Sequence, residues 1–160
     1  VHGGIPRAIQ PEMLEEDAEI ADATGVEMPD LPLPGEEQGE VRAIMALPSV
    51  MSVMPPLDYE TEWMKQMATD VLWSDPASEQ MEQNGMIDED GFGESPRGGG
   101  AVCFGNLAIE NFLERNNLSY IIRAHEAHAH GVSLSKGARV FTVFSTSKDH
   151  RQVRLRTIHF

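Results

Sequence analysis

At 160 residues the chain has the length of about one domain, enough for a single core with long loops and short of two full domains. It holds 26 carboxylates against 12 Lys and Arg side chains, a net charge of −14, which argues against non-specific nucleic-acid binding, since duplex affinity rests on cations that neutralise phosphates. No apolar run approaches the ~20 residues of a membrane span, and a single cysteine, Cys103, excludes an internal disulfide, so the expectation is a soluble protein of a reducing, intracellular compartment, cytoplasmic or nuclear, with no membrane partner.

The charge is unevenly placed. Residues 1–96 hold 22 acidic and 3 basic side chains, a net of −19, whereas residues 97–160 hold 4 and 9, a net of +5. The basic end can still meet an isolated phosphate.

In chain order, a first helix is predicted from about Pro11 to Thr24, with proline in the first turn and Glu12, Glu15 and Glu16 near its positive end. Residues 25–58 are acidic and rich in proline. They read as a mobile, solvated insertion in which Ala46–Pro56 is extended. A short helix follows from Glu60 to about Thr69, and a second acidic insertion covers about 77–96. Its Asp88-Glu89-Asp90-Gly91 lacks calcium-loop spacing, because the glycine comes too early and Phe92 and Gly93 stand where oxygen ligands are needed.

From Phe104 the pattern is regular. Phe104, Leu107, Ala108 and Phe112 recur at helical spacing as far as Asn116-Asn117. Strands are predicted at Ser119–Arg123, Val132–Ser135 and Val140–Ser145, with Lys136–Arg139 as the turn between the last two, and Val153–Phe160 as a final strand. Cys103 lies in an apolar run, where a buried thiol is the usual outcome.

Four short stretches carry candidate chemistry. Ile121-Ile122-Arg123-Ala124-His125-Glu126 is a β-branched run ending in a histidine, a way for a sheet to deliver a metal ligand to its rim; by spacing alone His125 reads rather as a core histidine bonded to backbone. His2 precedes Gly3-Gly4, where missing side chains permit close approach, although one histidine specifies no site. Arg97, followed by three glycines, can present its guanidinium fork to two phosphate oxygens, or stand in a plain surface turn. Asp75, in Trp73-Ser74-Asp75-Pro76, is a pocket carboxylate or an Asp-Pro turn initiator. His128 and His130 recur at period two and read as solvated.

Taken together, His2-Gly3-Gly4, Trp73-Ser74-Asp75-Pro76, Arg97-Gly98 and Arg123-Ala124-His125-Glu126 resemble, in order and separation, motifs of the serine/threonine protein phosphatase family of metallophosphoesterases. The resemblance is dense over residues 70–76 and 97–146. It implies an α/β fold, the metallophosphoesterase-type αββα sandwich, represented here by its C-terminal half, mainly the second mixed sheet and its helices. It also implies that His2 and His125 ligate one metal, that Asp75 lines the catalytic pocket, and that Arg97 binds the substrate phosphate. The complete enzyme would use two divalent ions (Mn, Fe or Zn), of which this chain holds at most one partial site, and would act on phosphoprotein substrates, with a regulatory protein as a further partner for the acidic loops.

Two departures qualify the expectation. Thr146-Ser147-Lys148-Asp149-His150 stands where the family carries Ala-Pro-Asn-Tyr after Phe-Ser, and the family's motifs for the remaining metal ligands are absent. The chain begins with Val inside a motif, so a longer gene product is expected, with the isolated chain inactive and apolar surface exposed. A non-catalytic pseudophosphatase or binding module, and a metallophosphoesterase acting on nucleotides or small phosphates, are the alternatives.

Overall fold

The computed structural model describes residues 1–25, 38–47 and 62–145. The strand expected at Val153–Phe160, the replacement at Thr146–His150 and most of the expected extended stretch at Ala46–Pro56 lie outside the described residues.

Helix α1 spans Pro11–Thr24 as the sequence predicts, and α2, Gly39–Ala46, lies inside the proline-rich stretch, where no helix is predicted. Its start is held from outside: Asn116 Oδ1 accepts the Val41 N–H at 3.3 Å, and Arg115 and Asn116 both bond the Glu40 carboxylate. Helix α3, Glu62–Trp73, runs one turn beyond its expected end. The buried Asp17 of α1 caps it, accepting the N–H groups of Glu62 and Trp63 at 3.1 and 3.3 Å.

Two short elements, helix α4 (Glu79–Gln83) and strand β2 (Phe92–Glu94), fall within the second acidic stretch. Asp88 turns the chain between them, its Oδ1 accepting the N–H groups of Asp90 and Phe92. Phe104 belongs not to the following helix but to strand β3, Val102–Phe104, whose three residues are all buried; helix α5 begins at Asn106 and ends at Arg115. The apolar side chain of Phe104 suits either element, and Gly105 is where the backbone changes.

The strands form two three-stranded mixed sheets. In the first, β1 (Asp75–Pro76) pairs parallel to β3, and β2 pairs antiparallel to β3 on its other side. In the second, β6 (Val140–Val143) is central, parallel to β4 (Ile121–Arg123) and antiparallel to β5 (Val132–Ser135). The architecture is the expected mixed α/β one, with part of a first sheet present as well as the second.

One core, made of Ile5, Phe92, Val102, Phe104, the inner face of α5, Ile121 and Val140, joins both sheets. A second, around Trp63, Met67, Ile9 and Ala43, packs α3 and α2 on the N-terminal segment. The outer face of the second sheet places Ile122, Phe141 and Leu134 in register across its three strands, with Ile122 and Leu134 each 56% exposed. Among the described residues no helix is long and apolar enough to cross a membrane.

Candidate active site

The site begins with a steric constraint. Gly3 donates its N–H to the Val71 carbonyl at 2.7 Å, and a Cβ at Gly3 would lie 2.5 Å from the carbonyl carbon of Leu72. A Cβ at Gly4 would lie 2.1 Å from the ring of Phe104. Both glycines therefore let the N-terminal segment lie flat against the end of α3 and the core. That placement brings His2 alongside the chain leaving β4, where its carbonyl accepts the Ala124 N–H at 2.9 Å.

His125 stands two residues beyond β4 rather than at its end, in the left-handed region (φ +69°). A non-glycine residue held there stores backbone strain, a feature concentrated at functional sites. Its Nδ1 lies 3.1 Å from Nε2 of His2, and Trp73 packs edge-on against its ring at 5.3 Å, as a pocket wall. Burial, and then the charge of Arg97, push its pKa below the ordinary histidine value, with His2 and Arg123 adding to the effect and Asp75 opposing it. The neutral imidazole that this favours is the form that ligates metals.

The pair fits a divalent cation in part. Two nitrogens bound at 2.0–2.1 Å to one tetrahedral ion stand about 3.3 Å apart, close to the observed separation. The Nε2 atom of His125 is buried without a hydrogen-bond partner. Among the described residues no group of three or more His, Cys, Asp and Glu side chains is placed to hold a metal, so the two imidazoles would be an incomplete shell.

Asp75 and Arg97 are brought together by β1 and the loop before β3. Arg97 Nε donates to Asp75 Oδ2 at 2.5 Å, and this bond outweighs burial in raising the guanidinium pKa further. The loop is shaped by three successive glycines with positive φ, Gly98, Gly99 and Gly100. A Cβ at any of them would meet nothing within 4 Å, so glycine is there for backbone conformation and not for space.

The residue that unites the site is Arg123, for which the sequence suggests no role beyond membership of a motif. It is fully buried. It bonds the Gly3 carbonyl and Glu126, donates to Asp75 Oδ1 at 2.5 Å, and reaches the Ser74 carbonyl at 3.3 Å. Three of the four motifs thus meet at one guanidinium, and the fourth, at Arg97, joins them through Asp75. The available signal was a charge closing a β-branched strand: its alternation with Ile122 points it into the core, where an ion must be paired. Beside the site, a cleft of about 480 Å³ runs between the sheets from Pro76 to Lys136, bordered by Glu82, Glu126 and Thr142. His128 borders the same cleft, whereas His130 is exposed.

No family model matches the chain. Among curated proteins it is 36% identical over 92 residues to serine/threonine-protein phosphatase rdgC of Drosophila melanogaster, covering 58% of this chain and 12% of that protein. It is 44% identical over 77 residues to human serine/threonine-protein phosphatase 5, covering 48% of this chain and 13% of that one. A longer match, 28% identity over 152 residues, joins 95% of the chain to 21% of the rat serine/threonine-protein phosphatase with EF-hands 1. Among solved structures, a Saccharomyces cerevisiae serine/threonine phosphatase described as similar to human PP5 aligns with a TM-score of 0.39 and 27% identity, over 61% of this chain and 25% of that one. The chain therefore spans only about an eighth to a fifth of the length of these curated relatives. Over the residues matched, the chain is similar to serine/threonine protein phosphatases.

Proposed function

We propose that the chain is the C-terminal part of the catalytic domain of a metal-dependent serine/threonine protein phosphatase, whose complete form hydrolyses phosphoserine and phosphothreonine and which is inactive in isolation. The observation that carries this reading is the convergence of His2, Asp75, Arg97 and His125, from four separate segments, around the buried Arg123. His2 and His125 would hold one of two divalent ions (Mn, Fe or Zn), and such ions supply the Lewis acidity that activates the attacking water.

The chain's own residues divide the remaining work. Arg97 offers a guanidinium to two phosphoryl oxygens, exchanging part of its bond to Asp75 for the substrate. Asp75 keeps that guanidinium in reach and is itself fixed by Arg123. Trp73 packs edge-on against His125, and burial together with the charge of Arg97 favours its neutral form. Residues missing from this set explain inactivity of the isolated chain, since losing one electrostatic stabiliser already costs about 10²–10³ in rate. Phosphoproteins are the substrates in this reading, and a regulatory protein met by the acidic loops, in the cytoplasm or nucleus, is the further partner.

The test is an assay of the intact gene product with Mn²⁺ on a phosphopeptide. Arg97→Ala and His125→Ala are each expected to lower turnover by about 10²-fold. Unchanged turnover in both variants would sink the assignment. The two-imidazole shell is what favours the competing reading, a non-catalytic binding module, and an intact protein that binds Mn²⁺ without hydrolysing any phosphopeptide would establish that reading instead.

A further inference from the structure

The loop that carries Arg97 is built from the three residues least able to hold a shape. Successive glycines retain the most backbone freedom, so the position of Arg97 depends on what the loop is tied to. Its internal bonds define a turn: Gly98 N–H to the Ser95 carbonyl at 3.0 Å, Ala101 N–H to the Gly98 carbonyl at 3.3 Å, and Arg97 N–H to Ser95 Oγ at 3.2 Å. These fix the turn's form, and the pairing of β3 with β1 sets the base of the loop beside Asp75, which leaves the glycine tip to be held.

A side chain from the far end of the N-terminal segment holds that tip. Arg7 donates Nη2 to the Gly100 carbonyl at 3.1 Å. The same guanidinium grips Asp70 of α3 with Nε at 3.1 Å and Nη2 at 3.0 Å, while the Arg7 backbone N–H adds a third bond at 2.9 Å. Asp70 is fully buried, so its carboxylate is a rigid anchor and the guanidinium fork is held in one plane. Through its carbonyl, Asp70 also accepts the Ser74 N–H at 3.2 Å, on the turn that delivers Asp75. One guanidinium therefore ties the Arg97 loop to the helix that presents Asp75.

We propose that Arg7 is a positioning residue of the phosphate site, acting through the Gly100 carbonyl to hold the Arg97 loop against Asp75. The inference rests on the phosphatase reading for what Arg97 does, but not for how its loop is held. Lysine at position 7 keeps a charge for Asp70 and lacks the second nitrogen that spans to Gly100, so it separates a positioning role from a purely structural one.

The experiment is amide exchange by NMR on the full 160-residue chain, comparing wild type, Arg7→Lys and the charge-free pair Arg7→Met/Asp70→Asn. The pair stands in should the single variant fail to fold. Expected is a rise on the order of tenfold in exchange at Gly98 and Ala101, relative to Ile109 and Phe112 in α5, with loss of the protected Arg97 Nε–H signal. Exchange that stays in proportion to α5 in the folded variants overturns the proposal. Titration with inorganic phosphate, followed at the Arg97 Nε–H, separates the two claims. A loosened loop with no phosphate response in wild type supports the tether and removes the phosphate reading. A phosphate response of equal midpoint in wild type and variants, with an unaltered loop, overturns the tether and leaves the phosphate reading standing.

Discussion

Asp75 is shared by two arginines, one on each oxygen: Arg97, partly exposed, on Oδ2 and Arg123, fully buried, on Oδ1, each at 2.5 Å. The two bonds differ in what breaking them costs. The outer pair lies at the solvent edge, where ion pairs contribute little and a phosphate can replace the carboxylate. The inner pair belongs to the fold, because the Arg123 side chain is fully buried.

Replacing Arg123 with Met should therefore destabilise the chain severely, by about 3–5 kcal/mol, since it leaves the Gly3 carbonyl and one oxygen of Asp75 without their donor. Arg123→Lys should recover only part of this, a single ammonium being unable to reach four acceptors. Urea midpoints at unchanged slope would measure both, and a Met variant as stable as wild type would contradict the network's role.

Gly4→Ala should cost about 1–3 kcal/mol through collision with the Phe104 ring. Phe104→Leu should be destabilising on its own account but make room for the alanine. The double variant is then expected to be less unstable than the sum of the two, and strict additivity in a double-mutant cycle would show that the contact is relieved elsewhere.

A pH-dependent element sits at Glu82. Burial raises its pKa, but the Asn106 N–H at 2.6 Å and the Lys136 ammonium at 2.9 Å outweigh it and hold the carboxyl below the ordinary glutamate value. The unfolded chain then takes up this proton before the folded one does, so the stabilisation is present above the ordinary value and is lost as pH falls through the depressed folded value. Glu82→Gln should be less stable than wild type at neutral pH, with the gap closing below about pH 4. A gap that persists into acid would argue against the ionic clasp.

Zn²⁺ should raise the thermal midpoint of the 160-residue chain, modestly, because two imidazoles are an incomplete shell. His2→Ala and His125→Ala should each abolish the rise, and His130→Ala should leave it intact. A rise that survives loss of both site histidines would place the metal elsewhere.

Much of the fold was legible where one pattern dominates. Helix α1 starts at its proline, and β5 ends where the Lys136–Arg139 turn begins, both as the sequence predicts. Phe104 misled because a buried aromatic suits helix and strand alike, and α2 went unread because its stability comes from Glu40 and Asn116, partners distant in sequence. Of the residues singled out by motif, Asp75 meets Arg97 and His2 meets His125. The junction at Arg123 was not, because a side chain that serves several acceptors is revealed only when the strands close around it.

The aligned Ile122, Phe141 and Leu134 have a colloidal consequence. An apolar stripe on a twisted sheet attracts its like at contact range, whereas the −14 charge repels copies at longer range. Salt shortens only the repulsion, from about 10 Å at 0.1 M to about 3 Å at 1 M, and leaves the stripe as adhesive as before. Ionic strength, more than temperature, then sets how concentrated this chain can be while its copies stay apart.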